Sequence, residues 1–269
     1  MGVDGTGSAF AGAVESAADG SIEFSEAWTQ GRGVYGGVPA AAMVSAMMRR
    51  LDRPESTLRS LTVHFCTPLL PGPARIDVDA IRIGGRVAHM ASSVVQNGSV
   101  TTHSTASFGT ARPVSLRWDE TSMPKVNPAA ELPSVPIELA GGPRFGQFFD
   151  YRFAGGPMPM SGSDSARLTT WIRPAGSPVM DTVHTVGVLD AGAPAILSRL
   201  HQPRPMASVD FRMQLCVPLP LVNADPNAHW LLDAHARVID EGYCEQITWL
   251  YTPDGQPVGT CQQLIAVLG

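Results

Sequence analysis

A chain of 269 residues with 44% hydrophobic content is long enough to bury one large core or two small ones. Its net charge of -5, with no basic cluster, argues against a nucleic-acid footprint and against a polybasic membrane anchor. The N-terminal MGVDGTGSAFAG lacks the positive start and long apolar run of a signal peptide, and is expected to be a flexible start to a cytoplasmic protein. It fits the short M-G-x-x-x-[ST] myristoylation pattern, which many unmodified proteins also match.

In chain order, Ser21 to Trp28 reads as a strand. Val34 to Leu51 then carries no charge until Arg49, and its apolar residues fall on every face of a 3.6-residue helix. Such a helix must be enclosed. Gly36 and Gly37 allow a tight turn into it and Pro39 suits a first turn, so the spacing predicts a start near Val38 and an exit to solvent at Arg49 and Arg50. The run is too short, at under the roughly 20 apolar residues required, to span a membrane.

Next come strands in LRSLTVHFCTPLL, in ARIDVDAIRI with a shift of phase at Ile81, in VAHMASSVV and in SVTTHSTASF. Asn97-Gly98 is a strong hairpin signal between the last two. From Ala111 to Gly142 five prolines interrupt a stretch without periodicity, which reads as a linker. Residues 1–110 and 143–269 are thus the expected structural units.

Beyond the linker the order returns: strands near Phe148 to Phe153 and Leu168 to Arg173, a helix from about Thr182 to Leu200, then ASVDFRMQLCVPLP, WLLDAHARVI, YCEQITWLYT and PVGTCQQLIAVL. Pro253-Asp254-Gly255 stands where Asn97-Gly98 stands in the first half. Phe65-Cys66-Thr67-Pro68-Leu69 matches Leu215-Cys216-Val217-Pro218-Leu219, which points to an internal duplication. Cys66, Cys216, Cys244 and Cys261 form no C-x-x-C pair, lie in strand-like runs, and are expected to be buried free thiols.

The order of strand, buried helix and four antiparallel strands, given twice, resembles the double-hotdog acyl-CoA thioesterases of the thioesterase II group. The resemblance rests on VYGGVPAAAMVSAM, RSLTVHFCTPLLPG and RIGGRVAHMASSVVQNGSVTTHSTASF, and spans about residues 22 to 268. It implies an α+β double hotdog, with a curved antiparallel sheet around a central helix in each repeat, acting on acyl-CoA in lipid and fatty-acid metabolism. A homodimer is implied by the same likeness.

From Val34 to Met48 the first helix offers only the hydroxyls of Tyr35 and Ser45, so an acid-assisted site belongs to the second half. There Asp190 stands among Val188, Leu189, Ala191 and Ala193, costly unless paired or functional, or else the cap of the segment that follows. Asp181 is a rival for the acid, but with Thr182 it would cap the helix if the helix begins early, and it reads as that cap. The family carries a helix-borne Asp in its second repeat, a Ser or Thr at the start of the next strand and a Gln on the last. By motif these fall on Asp190, on Ser208 in MASVDF and on Gln263 in GTCQQL. Gln262 is the rival, since neighbours on a strand point to opposite faces.

The implied reaction is attack of water on the thioester, with Gly36 and Gly37 as oxyanion donors at a helix start. No G-x-S-x-G elbow is present. His184 and His201 lie six and eleven residues from Asp190, spacings that do not suit a hotdog hydratase. Nothing in the motifs implies a metal or nucleotide cofactor. The rival class is a non-catalytic acyl-CoA or lipid-binding hotdog, which Ser in place of the more usual Thr at 208 keeps open.

Overall fold

The structure, a computed structural model, describes residues 8–139 and 141–268. The myristoylation pattern and the expected flexible start fall largely outside them. The first half contains α1 (Ala9–Val14), β1 (Ser21–Phe24), a small ribbon of β2 (Thr29–Gln30) and β3 (Gly33–Val34), α2 (Gly37–Leu51), β4 (Thr57–Phe65), β5 (Gly72–Ile83), β6 (Val87–Gln96) and β7 (Ser99–Gly109). The second contains β8 (Phe149–Gly155), β9 (Arg167–Pro174), α3 (Thr182–Ala191), β10 (Met206–Leu215), β11 (Trp230–Asp240), β12 (Tyr243–Tyr251) and β13 (Pro257–Val267).

All strands but the ribbon join one 11-stranded antiparallel sheet in the order β1-β5-β6-β7-β4-β10-β13-β12-β11-β9-β8. The order is a mirror about β4 and β10, except that β8 extends the second half by one strand. Their pairing is itself symmetric: Thr62 faces Arg212, Leu61 faces Met213 and Val63 faces Phe211, so each residue of β4 matches the one 150 positions later. The same offset relates Cys66 to Cys216, whose N–H groups donate to Thr101 on β7 and Val258 on β13 respectively. The duplication read in the sequence is therefore a structural one, and the chain is an α+β double hotdog.

The helix α2 begins at Gly37 and buries every residue to Met47 except Ser45. Met43 and Met47 are fully enclosed and fill the core, while Met48 is 38% exposed, so the enclosed run ends a turn before the helix does. Arg49 leaves the core toward Ser45 and Ser16. Asp52 in the left-handed region closes the helix, its N–H donating to Met48. No described helix is long and apolar enough to cross a membrane.

The second helix is shorter than its apolar run predicts. α3 ends at Ala191 because Gly192 and Pro194 follow, and a separate 3-10 turn, Ala195–Arg199, carries the rest. Asp181 caps α3 as expected, its carboxylate accepting from the His184 N–H and ring Nδ1, both at 2.8 Å. Burial pushes the Asp181 carboxyl up, but these bonds outweigh it and hold it below the usual range. A depressed carboxyl stabilises the fold above its unfolded value and stops doing so as pH falls. Asp181→Ala is therefore expected to cost about 1–2 kcal/mol at pH 7 and less near pH 3, read by urea unfolding at both values.

Three further expectations are corrected or refined. Cys244 and Cys261 are buried, but Cys66 and Cys216 are exposed, because each sits just past the end of β4 or β10 where the chain leaves the sheet. The phase shift at Ile81 is a bulge, and Ile81 and Ile83 beyond it are exposed. The proline-rich stretch is more than a tether: it lies along the second repeat, with Val135 bonding to Tyr151, Trp171 to Asn127, and Arg152 to Ala129 and Leu132. Asn97 and Gly98 take positive φ of 52° and 77°, as a two-residue hairpin turn requires.

Candidate active site

The two helices pack against each other, and the Tyr35 hydroxyl, at the entry to α2, donates to the Gly187 carbonyl inside α3. Tyr35 is fully buried and stacks on Phe145 with ring centroids 3.9 Å apart. From β8, the Tyr151 hydroxyl donates to the Ala191 carbonyl at 3.1 Å. Two phenols, one from each repeat, thus hold the last turn of α3. That turn carries Asp190.

The Asp190 carboxylate reaches the start of α2. A Cβ built on Gly36 would lie 2.9 Å from Asp190 Oδ2, so only glycine permits this approach. The other oxygen, Oδ1, accepts from Gln263 Nε2 at 2.7 Å. Desolvation dominates the carboxyl and pushes it up to about 7, against hydrogen bonding from the Gly37 backbone N–H and the Gln263 amide. Asp190 keeps a partly accessible surface. It is a carboxylate that changes charge near neutral pH.

Gln263 points inward and is 7% exposed, whereas Gln262 faces solvent. The alternation left open by the sequence is resolved by the register of β13, in which Cys261, Gln263 and Ile265 share the buried face. Ser208 is opposite Ile265, and the extra residue Val209 is a bulge that keeps Ser208 on the same side as Phe211 and Gln263. Its hydroxyl makes no hydrogen bond to Asp190 or Gln263 among the described residues. Asp190 and Gln263 are joined directly, then, while Ser208 is only brought to their face of the sheet. Gly36 and Gly37 stand where the sequence places them, at the mouth of α2, where Gly36 lies against the Asp190 carboxylate.

One polar residue of the site was not anticipated. Gln246 on β12 is opposite Gln263 and is 2% exposed, with its Nε2 3.3 Å from Gln263 Oε1. The signal was in YCEQITWLY: Cys244, Gln246, Thr248 and Leu250 share one phase, so a Gln stands in a buried row. The first repeat has no such pair. Following the symmetric seam, Phe211 opposite Gln263 corresponds to Leu61 opposite Ala106, and Gln263 opposite Gln246 to Ala106 opposite Met90. The polar pair is confined to the second half.

Comparison with known proteins finds two family matches, one in each half of the chain. The acyl-CoA thioesterase N-terminal domain family matches residues 24–109 and the acyl-CoA thioesterase C-terminal domain family matches residues 119–267. Among solved structures, a conserved hot dog fold protein of unknown function from Alicyclobacillus acidocaldarius is similar at 26% identity and TM-score 0.84, over 97% of this chain and 98% of that one. An acyl-CoA thioesterase II, TesB2, from Mycobacterium marinum shares 21% identity at TM-score 0.71, over 87% and 89%. A tesB protein of Mycobacterium avium subs paratuberculosis shares 15% at TM-score 0.75, over 96% and 97%. The last two likenesses are of fold alone. No match was found among curated proteins.

Proposed function

The chain belongs to the acyl-CoA thioesterase family, and from that premise we propose that it hydrolyses an acyl-CoA to the free acid and CoA with Asp190 as general base. The observation that carries the reading is one contact: a carboxyl poised near neutrality in the second repeat meets the N-terminus of α2 from the first. That pairing supplies a proton acceptor and a positive helix end at one point.

In this mechanism a water bound by Asp190, Gln263 and Ser208 attacks the thioester carbonyl carbon while its proton passes to Asp190. The carbonyl oxygen, gaining charge, is met by the Gly36 and Gly37 amides at the start of α2. The tetrahedral adduct then collapses, the carbon–sulfur bond breaks, and the thiolate leaves as CoA after taking a proton back from Asp190. Water is the only nucleophile, and no covalent enzyme intermediate forms.

The test is release of CoA thiol from short, medium, long and aromatic acyl-CoAs. A base with a pKa of about 7 must be ionised to act, so kcat/KM is expected to rise tenfold per pH unit below that value and level off above it. A profile flat from pH 5 to 8 would remove Asp190 from the role. Absence of turnover on every substrate, with the same acyl-CoAs bound, would favour the non-catalytic binding protein.

A further inference from the structure

Gln246 touches neither Asp190 nor the position of the water, yet its amide has only one workable orientation. Its Oε1 accepts from the Ala195 backbone N–H at 2.7 Å, and a backbone N–H can only donate. The Gln246 Nε2 is therefore the end turned toward Gln263 Oε1 and Thr248 Oγ1, each at 3.3 Å. Gln263 must in turn present Nε2 to Asp190. Were the Gln263 amide to flip, its NH2 would meet the NH2 of Gln246, donor against donor.

We propose that Gln246 is a positioning residue: it transmits the polarity of the Ala195 N–H through the buried chain Ala195, Gln246, Gln263, Asp190, and so keeps Gln263 a donor to the general base. The inference rests on the reading of Asp190 given above. A donor at 2.7 Å favours the ionised carboxylate, while a carbonyl oxygen in the same place would accept from the protonated form and favour that instead. The relay thus sets the pH at which the site can accept a proton. It also accounts for a buried Gln on β12 at the position where the first repeat places Met90 opposite Ala106.

The other titratable groups facing Asp190 do not compete in this range. Burial and the Asp190 charge together push the Tyr35 and Tyr151 phenols, and the Cys261 thiol on β13, above their ordinary values, so all three stay neutral near pH 7. The remaining influence is the Gly37 N–H, which belongs to the helix start and does not turn.

Two variants separate polarity from packing. Gln246→Met keeps the length but removes both ends of the relay, leaving Gln263 free to flip. Gln246→Leu removes both ends with a shorter, branched side chain, so a shift common to the two variants reports the lost polarity and not a particular packing. In the full chain, the Asp190 carboxyl carbon is titrated by NMR in 13C-aspartate-labelled protein, assigned by its loss in Asp190→Asn, beside the pH profile of kcat/KM. Both variants are expected to titrate Asp190 at least one pH unit higher than wild type. Activity should fall at least tenfold at pH 6 and by less than about threefold at pH 9. An unmoved titration, or a rate lowered equally at every pH, would overturn the relay. Because the NMR titration is read without substrate, an absence of turnover in wild type would count against the hydrolase reading only.

Discussion

Asp190→Asn is expected to lower kcat for any accepted acyl-CoA by about 10²–10⁴-fold, the range that a positioned proton acceptor contributes. The amide retains the size of the carboxyl and can still accept from Gln263, so KM should change far less than kcat. The same substitution should stabilise the protein. The Asp190 carboxyl titrates at about 7 in the fold against an ordinary 3.8, so ionising it opposes folding: wild-type stability falls as pH rises from about 4 to 7, and the deficit persists above. Removing the charge should recover stability on the order of a few kcal/mol at pH 8, and nothing at pH 3.5. Urea unfolding of both proteins at the two pH values, beside CoA-release kinetics, checks the pair. Lower activity with higher stability at pH 8 is the signature of a site residue. A variant less stable than wild type at pH 8 would mark Asp190 as structural.

The second large effect is expected at Gly36. Its φ of -60° is open to any residue, so backbone conformation is not what selects glycine. The constraint is proximity: an alanine Cβ would lie 2.6 Å from Phe65 Cζ and 2.9 Å from Asp190 Oδ2, inside any tolerated contact. Gly36→Ala must displace either the Phe65 ring or the carboxylate, costing about 1–3 kcal/mol of stability. Since a displacement of about 1 Å at reacting groups can cost on the order of 10²-fold, kcat should fall by that much. The two substitutions share a contact and should not add: in the Asp190→Asn background Gly36→Ala should cost little further activity. Full additivity would show that the methyl acts elsewhere.

The parts of this molecule that could be read from sequence were those governed by periodicity and turn chemistry. Asn97-Gly98, the enclosed run of α2 and the repeated Cys-x-Pro-Leu segment each announce themselves locally, and each places an element. Asp190 was visible because a carboxyl stands out in an apolar helix, and Gln263 because family motif and strand phase agreed on it. Other features needed three dimensions. The end of α3 turned on Gly192 and Pro194, whose effect a continuous apolar run obscures. Gln246 does not stand out in a strand that alternates cleanly, because its partners, the Ala195 N–H and Gln263, lie 51 and 17 residues away. The approach of Asp190 to Gly36 belongs to the same class, a contact between repeats that no local pattern encodes. The exposure of Met48, Cys66 and Cys216 marks where an element outruns the core, a boundary set by the neighbour and not by the element itself.

The symmetric pairing of β4 with β10 has a consequence for how the molecule comes apart. Because hydrogen bonding runs without a gap from β1 to β8, and Tyr35 bonds into the opposite helix, the two halves share an interior. Neither can open while the other stays intact without baring the central edge of a sheet and an unpaired buried phenol. Loss of structure is then expected to be a single cooperative event in which Asp190 separates from the start of α2 as the halves do. A truncated copy of either half would hold one side of the chemistry and nothing for it to face.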